Sequence, residues 1–151
     1  MTIGLMQNYV LLMMDFVSIL FQIFTMDKKV INTPKAPAPI GPYNQAIISN
    51  NTLYISGQIP LNPESNELIS SDIETETHQV MRNLSAILEE AGINFNHVVK
   101  TSIFLSDMNL FARVNEVYGS YFSADYPARE TVAVKGLPKN VNVEISMIAT
   151  M

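Results

Sequence analysis

The sequence predicts an α+β domain in which a mixed β-sheet carries two helices on one face. Two segments with apolar residues at helical spacing are interleaved with β-branched and aromatic runs, in the order strands, helix, strand, helix, strands. The last run alternates: Val141, Val143, Ile145 and Met147 are apolar, and Asn142, Glu144 and Ser146 between them are polar. That is the period of a strand with one face buried. Two helices make only one covering layer, so the second sheet face is expected to be covered by other copies of the chain.

Composition narrows the function classes. The 151 residues are 48% hydrophobic and 15% charged, which excludes a disordered chain. The net charge of −5 argues against a general binder of phosphate backbones, and Lys28, Lys29 and Lys35 are too small a basic cluster to imply nucleic acid. There is no cysteine, hence no disulfide, thiolate zinc site or thiol nucleophile. The two histidines, His78 and His97, are far apart in sequence, so neither a multi-histidine metal site nor a Ser/His/Asp triad is suggested. No P-loop or dinucleotide-binding glycine pattern is present.

Residues 1–25 stand apart, with Asp15 as their one charge. The apolar stretch 9–24 falls short of the ~20 residues of a membrane span and has Asp15 in its middle. A basic start and a small-residue cleavage site, the marks of a secretory signal, are missing. Residues 1–25 are therefore expected to be an optional or spurious extension. The alternatives are a membrane anchor or signal, or an apolar helix docked on the domain or on a partner. Residues 26–151 form the single domain.

Within that domain, 33–42 (TPKAPAPIGP) is too rich in proline for a helix or a central strand and reads as an extended arm. Runs 43–49 and 52–56 flank Asn50-Asn51, a hairpin signature. Residues 57–71 read as loop, broken by Pro60 and Pro63. Ser71 or Asp72 caps a helix with Val80, Leu84, Ile87, Leu88 and Ala91 on one face and Gly92 at its end. Glu74 and Glu76 lie near its positive end. Residues 98–105 are a buried strand. Asp107 caps a second helix presenting Leu110, Val114, Val117, Tyr118 and Tyr121, and Tyr126-Pro127 closes it. Strands at 131–134 and 141–149 complete the sheet.

Several residues are candidates for chemistry. Arg129 follows a tight Pro-Ala step into a strand, where its guanidinium can bind a carboxylate bidentately; a surface salt bridge is the competing role. Glu144 faces the layer that an oligomer would bury, where a half-buried carboxylate can orient or deprotonate water; an exposed strand glutamate is the alternative. Ser56 and Gly57 end a strand where a glycine permits close approach, or simply a bend. Tyr43 offers a phenol beside a rigid turn, or an edge aromatic. Asn115 can hold a ligand or satisfy its own helix.

Five stretches together resemble the Rid (YjgF/RidA) family of reactive-intermediate deaminases: IGPYNQA at 40–46, LYISGQIPLNP at 53–63, HVVKTSIFLSDMNLFARVNEVYGSYF at 97–122, YPARETVAV at 126–134 and LPKNVNVEISMIA at 137–149. The resemblance covers essentially all of 26–151. It implies a chorismate-mutase-like fold, with three subunits packing their sheets into a central barrel and ligand sites in the clefts between them. It further implies a cytoplasmic deaminase that hydrolyses enamines and imines, chiefly 2-iminobutanoate and 2-iminopropanoate, to 2-oxo acids and ammonia. These substrates are released by pyridoxal-phosphate enzymes such as threonine dehydratase. No metal or organic cofactor is implied.

Carried over motif by motif, the resemblance gives Arg129 the substrate carboxylate and Glu144 the attacking water. Tyr43, Ser56, Gly57 and Asn115 would line the pocket. Thr131 stands where many members have cysteine, so its backbone remains available to a ligand but thiol chemistry does not. The rival expectations are a non-catalytic small-acid-binding or chaperone-like module, and an endoribonuclease. The latter lacks a histidine pair and a broad basic face.

Overall fold

The computed structural model describes residues 13–14, 28–123 and 125–151. Met13 and Met14 apart, the extension at 1–25 lies outside the described residues. The rest is a six-stranded sheet with two helices: β1 (Lys28–Ile31), β2 (Ala46–Ser49), β3 (Thr52–Gln58), α1 (Ile73–Glu90), β4 (Val98–Leu105), α2 (Phe111–Gly119), β5 (Ala128–Ala133) and β6 (Val143–Thr150). The strand order is β1-β2-β3-β6-β4-β5. All neighbours are antiparallel except β4 and β5, which the α2 crossover makes parallel.

The expected α+β architecture is therefore present. Asn50 and Asn51 both take left-handed backbone angles (φ 48° and 60°), the geometry that a two-residue hairpin turn demands. The Asp72 carboxylate caps α1 by accepting the Thr75 N–H at 2.8 Å. Val80, Met81, Leu84, Ile87 and Leu88 of α1 are buried against Leu53, Ile103, Val143, Ile145 and Met147 of the sheet. No helix among the described residues is long and apolar enough to cross a membrane.

Several boundaries differ from the sequence reading, each for a tertiary reason. β1 was not foreseen: two lysines open a four-residue strand that gains its order by pairing with β2. β5 begins at Ala128 rather than 131, because its parallel ladder with β4 starts at the Lys100–Ala128 pair. β6 begins at Val143 rather than 141. Asp107 caps a short 3₁₀ turn, Met108–Leu110, ahead of α2 rather than α2 itself. β3 continues through Gly57 to Gln58, with a register shift between Ile55 and Gln58.

The second sheet face carries Tyr54, Phe104, Val132, Glu144 and Ile148. Tyr54 and Val132 are exposed and the other three are partly buried. Among the described residues no helix packs on this face.

The proline-rich arm at 33–42 has almost no ladder of its own, and one side chain replaces it. Gln45, 1% exposed, accepts the Thr33 N–H at 2.7 Å. Its amide nitrogen donates to the carbonyls of Thr33, Ala36 and Pro37 at 2.9–3.0 Å. We expect Gln45→Ala to lower the unfolding free energy by about 2–3 kcal/mol, the cost of leaving buried backbone groups unpaired. Denaturant unfolding measures the loss, and faster proteolysis within 33–42 should accompany it.

Candidate active site

The sequence-derived site residues form two separate clefts. Strand register explains why. Arg129 pairs with Thr101 across β4–β5, and Thr101 is fully buried on the helix-covered face. Glu144 pairs with Phe104 across β4–β6. Positions 101 and 104 have opposite parity on one strand, so their side chains leave opposite faces. Arg129 and Glu144 thus lie on opposite sides of the sheet within one chain.

The first cleft, about 630 Å³, is lined by Asn115, Glu116, Tyr118, Tyr126, Pro127 and Arg129. The Arg129 guanidinium lies 5.0 Å from the ring centre of Tyr118 and 5.8 Å from that of Phe111. Aromatic faces attract a cation without neutralising it. No carboxylate pairs with Arg129 among the described residues, whose two ion pairs are Lys100–Glu130 and Arg113–Glu74. Tyr118 is 2% exposed and its hydroxyl donates to Thr101 Oγ1 at 3.2 Å. Burial raises its phenol pKa above the usual 10.0, which keeps it neutral beneath the arginine.

Thr131 lies two residues along β5, on the same face as Arg129 and opposite Ile103. Its hydroxyl oxygen is buried without a hydrogen-bond partner among the described residues.

The second cleft, about 340 Å³, is lined by Ile40, Tyr43, Ser56, Gly57, Ile59, Pro138 and Glu144. Here Gly57 leaves the space that the Glu144 side chain occupies. A methyl group in its place would come within 2.8 Å of Glu144 Cδ and 3.0 Å of Cγ. The carboxylate lies directly over the β3 backbone, and burial raises its pKa above the ordinary 4.5. No hydrogen-bond donor reaches it among the described residues. Tyr43 accepts the Ile40 N–H at 3.3 Å, which leaves its own O–H available. Ser56 Oγ donates to the Asn44 carbonyl at 2.7 Å, which fixes the hydroxyl and leaves its lone pairs outward.

The structure therefore joins Arg129 with Asn115, and Tyr43, Ser56 and Gly57 with Glu144. It also adds Phe111 and Tyr118 around the arginine. The sequence marks Tyr118 as core only, because it shares a helical stripe with Val114 and Val117. Phe111 carried a usable signal, an exposed aromatic opening a helix.

Chemically, a cation and a carboxylate sit in separate clefts, each without a counter-ion within salt-bridge distance among the described residues. The chain belongs to the Rid (YjgF) family: the family model described as Endoribonuclease L-PSP matches residues 33–151. A RutC family protein of Pyrococcus abyssi is 51% identical over 82% of this chain and 98% of its own length. The 2-iminobutanoate/2-iminopropanoate deaminase of Mus musculus is 49% identical over 81% of this chain and 90% of its own. The crystal structure of YyfA of the Rid family, from Yersinia pestis, has a TM-score of 0.81 at 48% identity, covering 83% of this chain and all of that one.

Gly57→Ala should drive the Glu144 carboxylate off β3 toward solvent. Its pKa is then expected to fall toward 4.5, read by NMR titration of the ¹³C-labelled side chain.

Proposed function

We propose that the protein is a homotrimeric imine deaminase that hydrolyses 2-iminobutanoate and 2-iminopropanoate to 2-oxo acids and ammonia. The observation that carries this reading is the pair of charges, Arg129 and Glu144, that lie in clefts on opposite sheet faces and form no ion pair among the described residues. One chain cannot bring them to a single ligand. A neighbour that sets its uncovered sheet face against the β5 edge of the first chain can, with Arg129 and Asn115 from one and Tyr43, Ser56, Gly57 and Glu144 from the other. The deaminase name of the mouse relative supports the same substrate class.

The chemistry asks little of the protein. A protonated imine is already electrophilic, so positioning dominates. Arg129 clamps the substrate carboxylate, and its guanidinium geometry fixes the plane of the C=N group. Glu144 holds a water against the imine carbon and takes its proton as the C–O bond forms. That proton passes to nitrogen; as the C–N bond breaks, the hydroxyl gives its proton to the Glu144 carboxylate and closes to C=O, and ammonia leaves with the 2-oxo acid. Thr131 and Asn115 flank the bound acid. The reading requires neither a covalent intermediate nor a cofactor. Its substrates would come from pyridoxal-phosphate enzymes, and its compartment would be the cytoplasm that they share.

An endoribonuclease draws less support. His78 Nδ1 lies 2.9 Å from the Tyr121 hydroxyl, and His97 closes the cap on its own 3₁₀ turn. The chain as a whole is acidic.

Removing Arg129 strands the substrate carboxylate in the cleft. Arg129→Ala should cost ~30-fold to several thousand-fold in kcat/KM. Arg129→Lys should fail nearly as badly, because an ammonium cannot make two parallel bonds. Glu144→Gln should slow hydrolysis by ~10²–10⁴-fold. Mixing Arg129→Ala with Glu144→Gln under subunit exchange should restore activity at about a quarter of the sites, since each site then draws its halves from two chains. Coupled assay of 2-oxobutanoate release measures all of these. No recovery in a verified mixed trimer would defeat the shared site.

Glu144 must be ionised to act as the base, so activity is lost as pH falls through its raised pKa. The acid limb of the kcat profile should therefore lie above 4.5 and vanish in Glu144→Gln. The sign for stability is the reverse. A raised carboxyl pKa means that the ionised form opposes folding, so Glu144→Gln should melt at a higher temperature than wild type near neutrality, and the difference should shrink as pH falls.

A further inference from the structure

Away from both clefts, Glu76 is a buried carboxylate that the proposed chemistry does not use. It is 2% exposed in the first turns of α1 and belongs to neither ion pair of the described residues. A neutral side chain would fill the same space without the cost of taking a charge out of water. Support for the positive end of α1 is already given by Asp72 and Glu74.

What Glu76 does is hold one residue. Its Oε2 accepts the Asn142 N–H at 3.1 Å and its Oε1 accepts Asn142 Nδ2 at 2.7 Å. The far side of Asn142 is held as well. Its Oδ1 accepts from Ser106 Oγ at 2.9 Å, and its carbonyl accepts the Ser106 N–H at 3.0 Å. Four bonds thus tie Asn142 between α1 and the end of β4, one residue before β6 begins. Glu144 follows two residues later.

The segment just before needs such a tie. Lys139 and Asn140 are both left-handed (φ 55° and 57°), a backbone state that persists only where the surroundings impose it. Pro138, in the same turn, forms a wall of the Glu144 cleft. Charge-assisted bonds are the stronger kind, which suits a carboxylate to this task.

We propose that Glu76 is a positioning residue for Glu144: through Asn142 it fixes the start of β6 and so holds the Glu144 carboxylate over Gly57. This inference rests on the deaminase reading and deepens it.

The test uses the full chain. Glu76→Gln is nearly isosteric but turns an N–H group toward the donors of Asn142. We expect kcat for 2-iminobutanoate to fall ~10- to 100-fold, as for a displaced reacting group. KM should change by less than about threefold, because the Arg129 clamp is untouched. The ¹³C titration of Glu144 should move toward the Gly57→Ala value. Ser106→Ala loosens only the exposed end of the tie and should shift both readouts less, in the same direction. It decides the matter if Glu76→Gln does not fold. Wild-type kcat and wild-type Glu144 titration in the folded variants would overturn the proposal. So would a loss of activity equal to the unfolded fraction with the titration unmoved. If the wild-type chain itself does not hydrolyse the imine, the deaminase reading falls, and the Glu144 titration alone decides the positioning role.

Discussion

The register of β6 between β3 and β4 is the constraint on which the rest of the molecule depends. β6 is laddered on both sides, so its pairing fixes which side chains enter the core and which reach the open face. A slip of one residue would send Val143, Ile145 and Met147 out of the core and turn Glu144 into it in their place. Apolar burial thus enforces the placement of a carboxylate that contributes nothing favourable to folding. Gly57 completes the arrangement by leaving room for that carboxylate on the neighbouring strand.

The two clefts manage their charges by different means. Arg129 rests on the faces of Tyr118 and Phe111, which orient it and leave its N–H fork free. Glu144 lies half-buried over Gly57, and that partial burial makes it a stronger base than an exposed carboxylate. Neither arrangement is optimal for the isolated chain. Each leaves a charge in want of a partner, and under the proposed reading substrate and water supply the partners once a second copy closes the gap.

Much of this was legible in the sequence where one physical rule acted alone. The alternation in β6, the cap on α1 and the asparagine pair in the hairpin each follow from local periodicity or turn chemistry. The missed features depend on distant segments. β1 is a strand only because β2 lies beside it, and nothing in its two lysines announces that. Tyr118 serves both the core and the arginine above it, so its helical spacing reported only the first role. The division of Arg129 and Glu144 between faces required the β4–β5 and β4–β6 registers together, which no single segment encodes. Glu76 read as a helix-end charge because Asn142, its partner, is distant in the chain.

β1 also bears on how copies of the chain can meet. The outer strand carries Lys28 and Lys29 and leaves both exposed. A doubly charged border is a poor template for another strand, so the sheet resists lengthening at its β1 edge. The sheet face without a helix is the other open surface, and contacts made through it under a closed rotation end in a ring instead of running on as a fibre. Two lysines at the β1 margin thus steer association away from the edge they line.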